Sequence, residues 1–211
     1  MSRTEFILFD LDNTLYPRSC GLFDEIDRRI NHYLKEFVGI REKEVDFRRR
    51  SYMETHGTTL NGLMHYHGVE PGHYLDYVHD VDLGRYLDPD PELRALIAAL
   101  PGRKYIFSNA SAGHCRRVLE KLGLDDLFSA VYDIDFFAYR PKPRPEIYHE
   151  LLAEIGGNPR NGVMVDDMAV NLEPAAALGM RTFHYLPEGN DGLPSCNRRI
   201  LSLSELVDLV R

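Results

Sequence analysis

"FILFDLDNTLYP", residues 6–17, sets four apolar side chains in a row ahead of two carboxylates, Asp10 and Asp12, that flank a single leucine. An uninterrupted apolar run of this kind suits a strand buried on both faces of a parallel sheet. The acids at its end repel: two ionised carboxylates about 4 Å apart cost roughly 4 kcal/mol at an effective dielectric of 20. A chain that places them there needs something to offset the repulsion.

Downstream the pattern repeats. Short apolar segments, "KYIF" (104–107), "AVYDI" (130–134), "GVMV" (162–165) and "RTFHY" (181–185), alternate with amphipathic helical stretches. The clearest helix starts with Asp90 as N-cap and Pro91 at its first position and turns Leu93, Leu96, Ile97 and Leu100 inward. Others are expected over 112–122, 145–155, 169–178 and 204–210. Residues 22 to about 80 differ: Phe23, Ile26, Ile30, Tyr33, Leu34 and Phe37 recur at helical spacing, as do Leu60, Leu63, Met64 and His67, then Tyr74, Leu75 and Val78. Gly39, Gly57, Gly68 and Pro71-Gly72 break these segments. The expected fold is α/β, a doubly wound Rossmann-like parallel sheet, residues 1–16 and 86–211, with a helical unit, residues 17–85, inserted after the first strand.

Composition narrows the function. The 211 residues are 44% hydrophobic, enough for a sizeable core, and carry a formal net charge of -8 with the basic residues scattered, which disfavours a nucleic acid polymer as ligand. Three cysteines without a CxxC pair suggest neither a disulfide framework nor a zinc knuckle, and a reducing cytoplasm fits. No segment approaches the ~20 apolar residues of a membrane span.

In doubly wound sheets ligands bind beyond the carboxyl ends of the strands. The first strand delivers Asp10 and Asp12 there, the second Ser108 and Asn109, the fourth Asp166 and Asp167, and "YRPKPRPE" adds Lys142 between two prolines. An acidic, oxygen-rich pocket suits Mg²⁺, which takes one or two carboxylates plus waters and phosphate oxygens. The Ser108 hydroxyl, backbone N–H groups near Leu11 and Asn109, and the Lys142 charge can then stabilise phosphoryl oxygens. Asp10 is the expected nucleophile, forming an aspartyl-phosphate, and Asp12 the acid that protonates the leaving alkoxide and then activates water.

A lone DxDxT is common by chance, and Ser108, Asn109 and Lys142 taken singly suit turn formers and a surface lysine. The order of all four motifs, each at an expected strand end, is what carries the reading. "DLDNT", "FSN", "PKP" and "VDDMAVNLEPAAALGM" resemble the four motifs of the haloacid dehalogenase-like hydrolases, over nearly the whole chain. The resemblance implies Asp10 as nucleophile, Asp12 as acid/base, Thr14 as support for the turn, Ser108 and Lys142 on phosphate, and Asp166 as metal ligand with Asp10 and the Asp12 backbone carbonyl. Asp167 and Asn171 match the tail of the last motif. The acid at position 12 resembles the phosphatase branch, since dehalogenases of this family lack it. The insertion is similar to the family's helical cap. "FDLDNTLYP", "YLDPDPELRALIAALPGRKYIFSNA" and "RVLEKLGL" resemble the pyrimidine 5'-nucleotidase group, from which Ser111 departs where an acidic residue is usual.

The expected activity is therefore Mg²⁺-dependent hydrolysis of a small phosphomonoester, a pyrimidine nucleoside 5'-monophosphate first, phosphoglycolate or a sugar phosphate next. A phosphomutase could pass the same aspartyl-phosphate to a second hydroxyl. A signalling receiver gathers similar groups, but its phosphoacceptor follows the third strand and the insertion has no counterpart there. His56, His65, His67, His73 and His79 crowd the insertion. His65 and His67 point to different helix faces, with no ligand at i+4, so mixed core and surface roles are expected. "FRRRS" (47–51) reads as a solvated helical face, unless one arginine reaches an anionic substrate. Tyr16 either faces the pocket or packs under the insertion.

Overall fold

The computed structural model describes residues 3–187 and 198–210. The chain divides into two compact units, Met1–Pro17 with Leu87–Arg211, and Arg18–Tyr86. Strand β1 (Phe6–Phe9) opens the first unit, and the second is built from helices α1 (Leu22–Glu36), α2 (Val45–His56), α3 (Thr59–His67) and α4 (Pro71–His79).

In the helical unit, α1 buries Leu22, Ile26, Tyr33 and Leu34, and the Tyr33 ring meets Tyr74 of α4 edge-on at 5.1 Å. Phe37, expected inward, is 53% exposed and stacks on Tyr33 instead. Helix α3 starts at Thr58, whose side chain accepts the Asn61 N–H, and its Gly62 lies so close to Tyr52 of α2 that a methyl group would stand 2.2 Å from the ring. The arginine face of α2 is not wholly solvated: Arg49 donates to Asn31 at 2.8 Å and pairs with Asp27 of α1. His67 is exposed rather than inward and bonds the Tyr52 hydroxyl at 2.8 Å; His73 bonds that of Tyr33.

The remaining elements are α5 (Pro91–Ala99), β2 (Arg103–Phe107), α6 (Ala112–Leu122), β3 (Ala130–Tyr132), α7 (Pro145–Ile155), β4 (Gly162–Asp166), α8 (Ala169–Ala177), β5 (Arg181–Tyr185), β6 (Arg198–Ile200) and α9 (Leu206–Leu209). The strands form one parallel sheet in the order β3-β2-β1-β4-β5-β6 among the described residues. All four β1 side chains are buried, as a central strand covered on both faces requires. Phe6 and Leu8 pack with Phe107, Ile147, Tyr148, Leu151, Met164 and Leu172; each large apolar side chain removed from water contributes about 1.5–3 kcal/mol. The Asp90 cap of α5 accepts the Leu93 N–H at 2.9 Å.

Three boundaries depart from the periodicity. β3 stops at Tyr132, short of Ile134, because the next residue turns away from the ladder: the Asp133 carboxylate accepts the N–H groups of Ala112 and Phe136. β6 was not expected, since of "RRI" only Ile200 is buried and no alternation is visible in three residues. The last helix is shorter than 204–210, since a 3-10 turn, Leu203–Glu205, precedes it and carries a capping box with Ser202.

The strand order reverses direction between β1 and β4, the position where such sheets open a crevice at their carboxyl edge. Register matters for what lines it. Phe9 pairs with both Ile106 and Val165, so the residues that follow on the three strands emerge side by side.

At the opposite edge, Gly102 (φ 74) leads into β2, and a Cβ there would lie 2.6 Å from the Glu5 backbone. Gly123 (φ 73) ends α6 with open space around it. Gly123→Ala should cost only the left-handed strain, about 1 kcal/mol, whereas Gly102→Ala adds a backbone clash and should cost about 3 kcal/mol by urea denaturation. Equal losses would contradict this packing.

Candidate active site

Asp10 continues the β1 ladder by one bond, its N–H donating to Val165 O at 2.9 Å. The chain then turns: the N–H groups of Thr14 and Leu15 both reach Leu11 O, and Asn13 adopts φ 61, a left-handed conformation that asparagine tolerates. The turn brings the Thr14 hydroxyl to Asp10 Oδ2 at 3.2 Å.

Lys142 is the centre of the arrangement. Its Nζ donates to Asp10 Oδ1 and to Asp166 Oδ2, each at 2.7 Å, and lies 5.2 Å from the centroid of the Phe107 ring. The lysine is 2% exposed and Asp166 is fully buried. Its loop is held by Asn109, whose Oδ1 accepts the Lys142 N–H at 2.8 Å while its Nδ2 donates to Lys142 O at 3.3 Å. Asp166 is fixed in turn by the Met168 N–H at 2.8 Å and by Asn171 Nδ2 at 3.0 Å to Oδ1 and 3.2 Å to Oδ2. Ser108, 2% exposed, accepts the Ala110 N–H at 3.0 Å. Asp12 stands apart: its Oδ1 accepts from the Tyr16 hydroxyl at 2.5 Å and bonds His114 Nε2 at 2.8 Å.

Comparison with known proteins adds that the family described as haloacid dehalogenase-like hydrolase matches residues 4–179. The chain belongs to the haloacid dehalogenase-like hydrolases. It is 27% identical over 201 residues to phosphate metabolism protein 8 of Saccharomyces cerevisiae, a match covering 85% of this chain and 61% of that protein. It is 28% identical over 194 residues to phosphoglycolate phosphatase of Mesorhizobium japonicum, covering 85% and 81% respectively. Among solved structures, an HAD phosphatase from Thermococcus onnurineus shares the fold at a TM-score of 0.68 and 21% identity, over 98% of this chain and 97% of its own. L-2-haloacid dehalogenase of Xanthobacter autotrophicus shares it at 0.64 and 18%, over 100% and 99%.

Within this family's fold, the site of the present chain is electrically overloaded. Carboxylate oxygens of Asp10, Asp166 and Asp167 all lie within 4.8 Å of one another, and one ammonium faces them. Burial disfavours the charged form of Lys142, but Asp10 and Asp166 outweigh it and hold its pKa above the ordinary lysine value. Burial also lifts Asp10 well above the usual carboxylate range; Lys142 opposes the lift, and Asp166, Asp167 and Asp12 add to it. Asp167 is pushed up to about 7, by burial first and then by the charge of Asp166. Three convergent carboxylates with one lysine fit a hard divalent cation, which relieves the excess charge that otherwise holds protons on the site.

Several functions of this cluster have no local sequence signal. Tyr16 is buried with its hydroxyl on Asp12, and His114 lies on the apolar face of α6 beside Cys115 and Val118. Only the fold, which brings position 114 to position 12, makes that histidine visible. Asn109, expected near phosphate, uses its side chain on the Lys142 backbone, and Asn171 acquires a definite place as the brace of Asp166.

The raised Asp167 pKa has a stability consequence. The folded protein keeps a proton that the unfolded chain releases from about pH 4, so this contribution is fully present below that pH and is lost as pH rises through about 7. In buffer with chelator, Asp167→Asn should therefore gain stability relative to the native chain between pH 5 and pH 8, measured by urea denaturation. Curves that stay parallel with pH would contradict the assignment.

Proposed function

We propose that this protein is a Mg²⁺-dependent phosphatase that hydrolyses a small phosphomonoester through an aspartyl-phosphate on Asp10. The observation that carries the reading is the separation of the two acids in the first loop. Asp10 shares Lys142 with Asp166, whereas the Asp12 carboxylate is bonded to Tyr16 and His114. That division suits one carboxylate for attack among cation-stabilised oxygens and the other for proton transfer.

In the first half-reaction an Asp10 oxygen attacks phosphorus as the bond to the leaving oxygen breaks, and Asp12 gives that oxygen its proton. In the second, Asp12 takes a proton from a water whose oxygen attacks phosphorus; the Asp10–phosphorus bond breaks and inorganic phosphate leaves. The Ser108 hydroxyl, the Lys142 ammonium and the backbone N–H groups of Leu11 and Asn109 stabilise the phosphoryl oxygens. Asp10, the Asp12 backbone carbonyl and Asp166, with Asp167 beside them, would hold Mg²⁺, whose positive charge would offset the crowded anionic oxygens of the site.

The helical unit Arg18–Tyr86, inserted in the chain just beyond the first motif, serves in this reading as the substrate-selecting cap. The segments resembling pyrimidine 5'-nucleotidases favour a pyrimidine nucleoside 5'-monophosphate. Phosphoglycolate is the second reading, supported by the Mesorhizobium japonicum relative of that name.

Phosphate release should depend on Mg²⁺ and be fastest on a pyrimidine nucleoside monophosphate in a panel with phosphoglycolate and sugar phosphates. Asp10→Asn should abolish turnover with the fold intact, and Asp12→Asn should lower kcat by about 10²–10⁴-fold. Near-native release by either variant would overturn the assignments.

A further inference from the structure

Helix α6 turns His114, Cys115, Val118, Leu119 and Leu122 into the protein interior. Four of these five are apolar or nearly so, and the fifth is an imidazole whose side chain is 0% exposed. A polar ring in such a place costs free energy unless it is hydrogen-bonded. Its Nε2 lies 2.8 Å from Asp12 Oδ1, and because a carboxylate only accepts, that nitrogen carries the hydrogen. The Tyr16 hydroxyl, buried on the turn that follows Asp12, donates to the same oxygen. Two donors from separate parts of the chain, one on the first loop and one on α6, thus converge on one oxygen of one carboxylate. An sp² oxygen has two lone pairs, and here each has a donor.

We propose that His114 and Tyr16 are positioning residues for Asp12, gripping its Oδ1 and so fixing the orientation in which the carboxylate passes a proton to and from the reacting groups. The inference rests on the assignment of Asp12 as acid and base. Each residue acts by fixing the rotamer of the carboxylate that does the transfer. Orientation of this kind is worth a substantial part of what a general acid contributes. The His114 side chain reaches Asp12 through Nε2, so glutamine, whose amide nitrogen sits at similar reach, is the conservative replacement, and alanine the disabling one.

Leaving-group dependence separates this role from a structural one. An alkyl phosphate needs its leaving oxygen protonated, whereas an activated aryl phosphate expels a stable phenolate without that help. In kcat/KM, which reports the steps through departure of the leaving group and not the later hydrolysis of the aspartyl-phosphate, His114→Ala should lose about 10–100-fold on an alkyl phosphomonoester but only a few-fold on p-nitrophenyl phosphate, with His114→Gln recovering most of the loss. Added to Asp12→Asn, His114→Ala should cost no more than about twofold further, since it acts through a carboxylate already disabled. Equal losses on the two esters, or full additivity with Asp12→Asn, would overturn the positioning role. If Asp12→Asn itself shows no preference for the aryl ester, the acid assignment falls instead, and if the native protein is inert to both esters the phosphatase reading falls; either result takes the present inference with it.

Discussion

One buried ammonium shared by two buried carboxylates holds this site together. Lys142 reaches Asp10 and Asp166 at equal distances of 2.7 Å; Asp10 stands just beyond β1 and Asp166 at the end of β4, the strands on either side of the sheet's reversal. Either acid alone would bear a large desolvation cost, and the pair without the lysine would add mutual repulsion. Around this bridge the remaining polar groups serve as fasteners: Asn109 holds the lysine loop, Asn171 and the Met168 N–H hold Asp166, and Thr14 holds Asp10. With Asp167 adjacent, the negative charge still exceeds what one lysine offsets. That surplus is the charge that a divalent cation would offset under the proposed function.

The same crowding explains why the first loop carries two acids with different surroundings. Asp10 is drawn into the anionic cluster, where burial and neighbouring charge lift its pKa. Asp12, two residues on, is taken by Tyr16 and His114 instead. Because β1 has ended at Phe9, strand alternation no longer sets the direction of these side chains. The turn with Asn13 in the left-handed region sets it.

Much of this was legible in the chain. "FILF" and "GVMV" read as buried parallel strands because they lack alternation, and the acids at their ends stood out because nothing in a core tolerates them unpaired. Lys142 could be picked from its flanking prolines and its order among the motifs. What local pattern could not supply were contacts made at long range. His114 looks like one more residue of an amphipathic helix until α6 brings it 2.8 Å from a residue 102 positions earlier. The end of β3 depended on Asp133 finding two backbone N–H groups, and β6 is too short to show a period. In the helical unit the 3.6 period located the helices but misjudged Phe37 and His67, since period alone does not say which flank of a stripe a partner helix covers.

The site depends most directly on Lys142 as its internal counter-charge, and the stability of Lys142→Met tests this dependence. In chelator-containing buffer near pH 7 the variant should lose about 3–5 kcal/mol by chemical denaturation, because Asp10 and Asp166 are left facing each other in the interior. Added Mg²⁺ should restore part of that loss. A variant as stable as the native chain, with or without the cation, would show that the carboxylates do not depend on the lysine and would contradict the account.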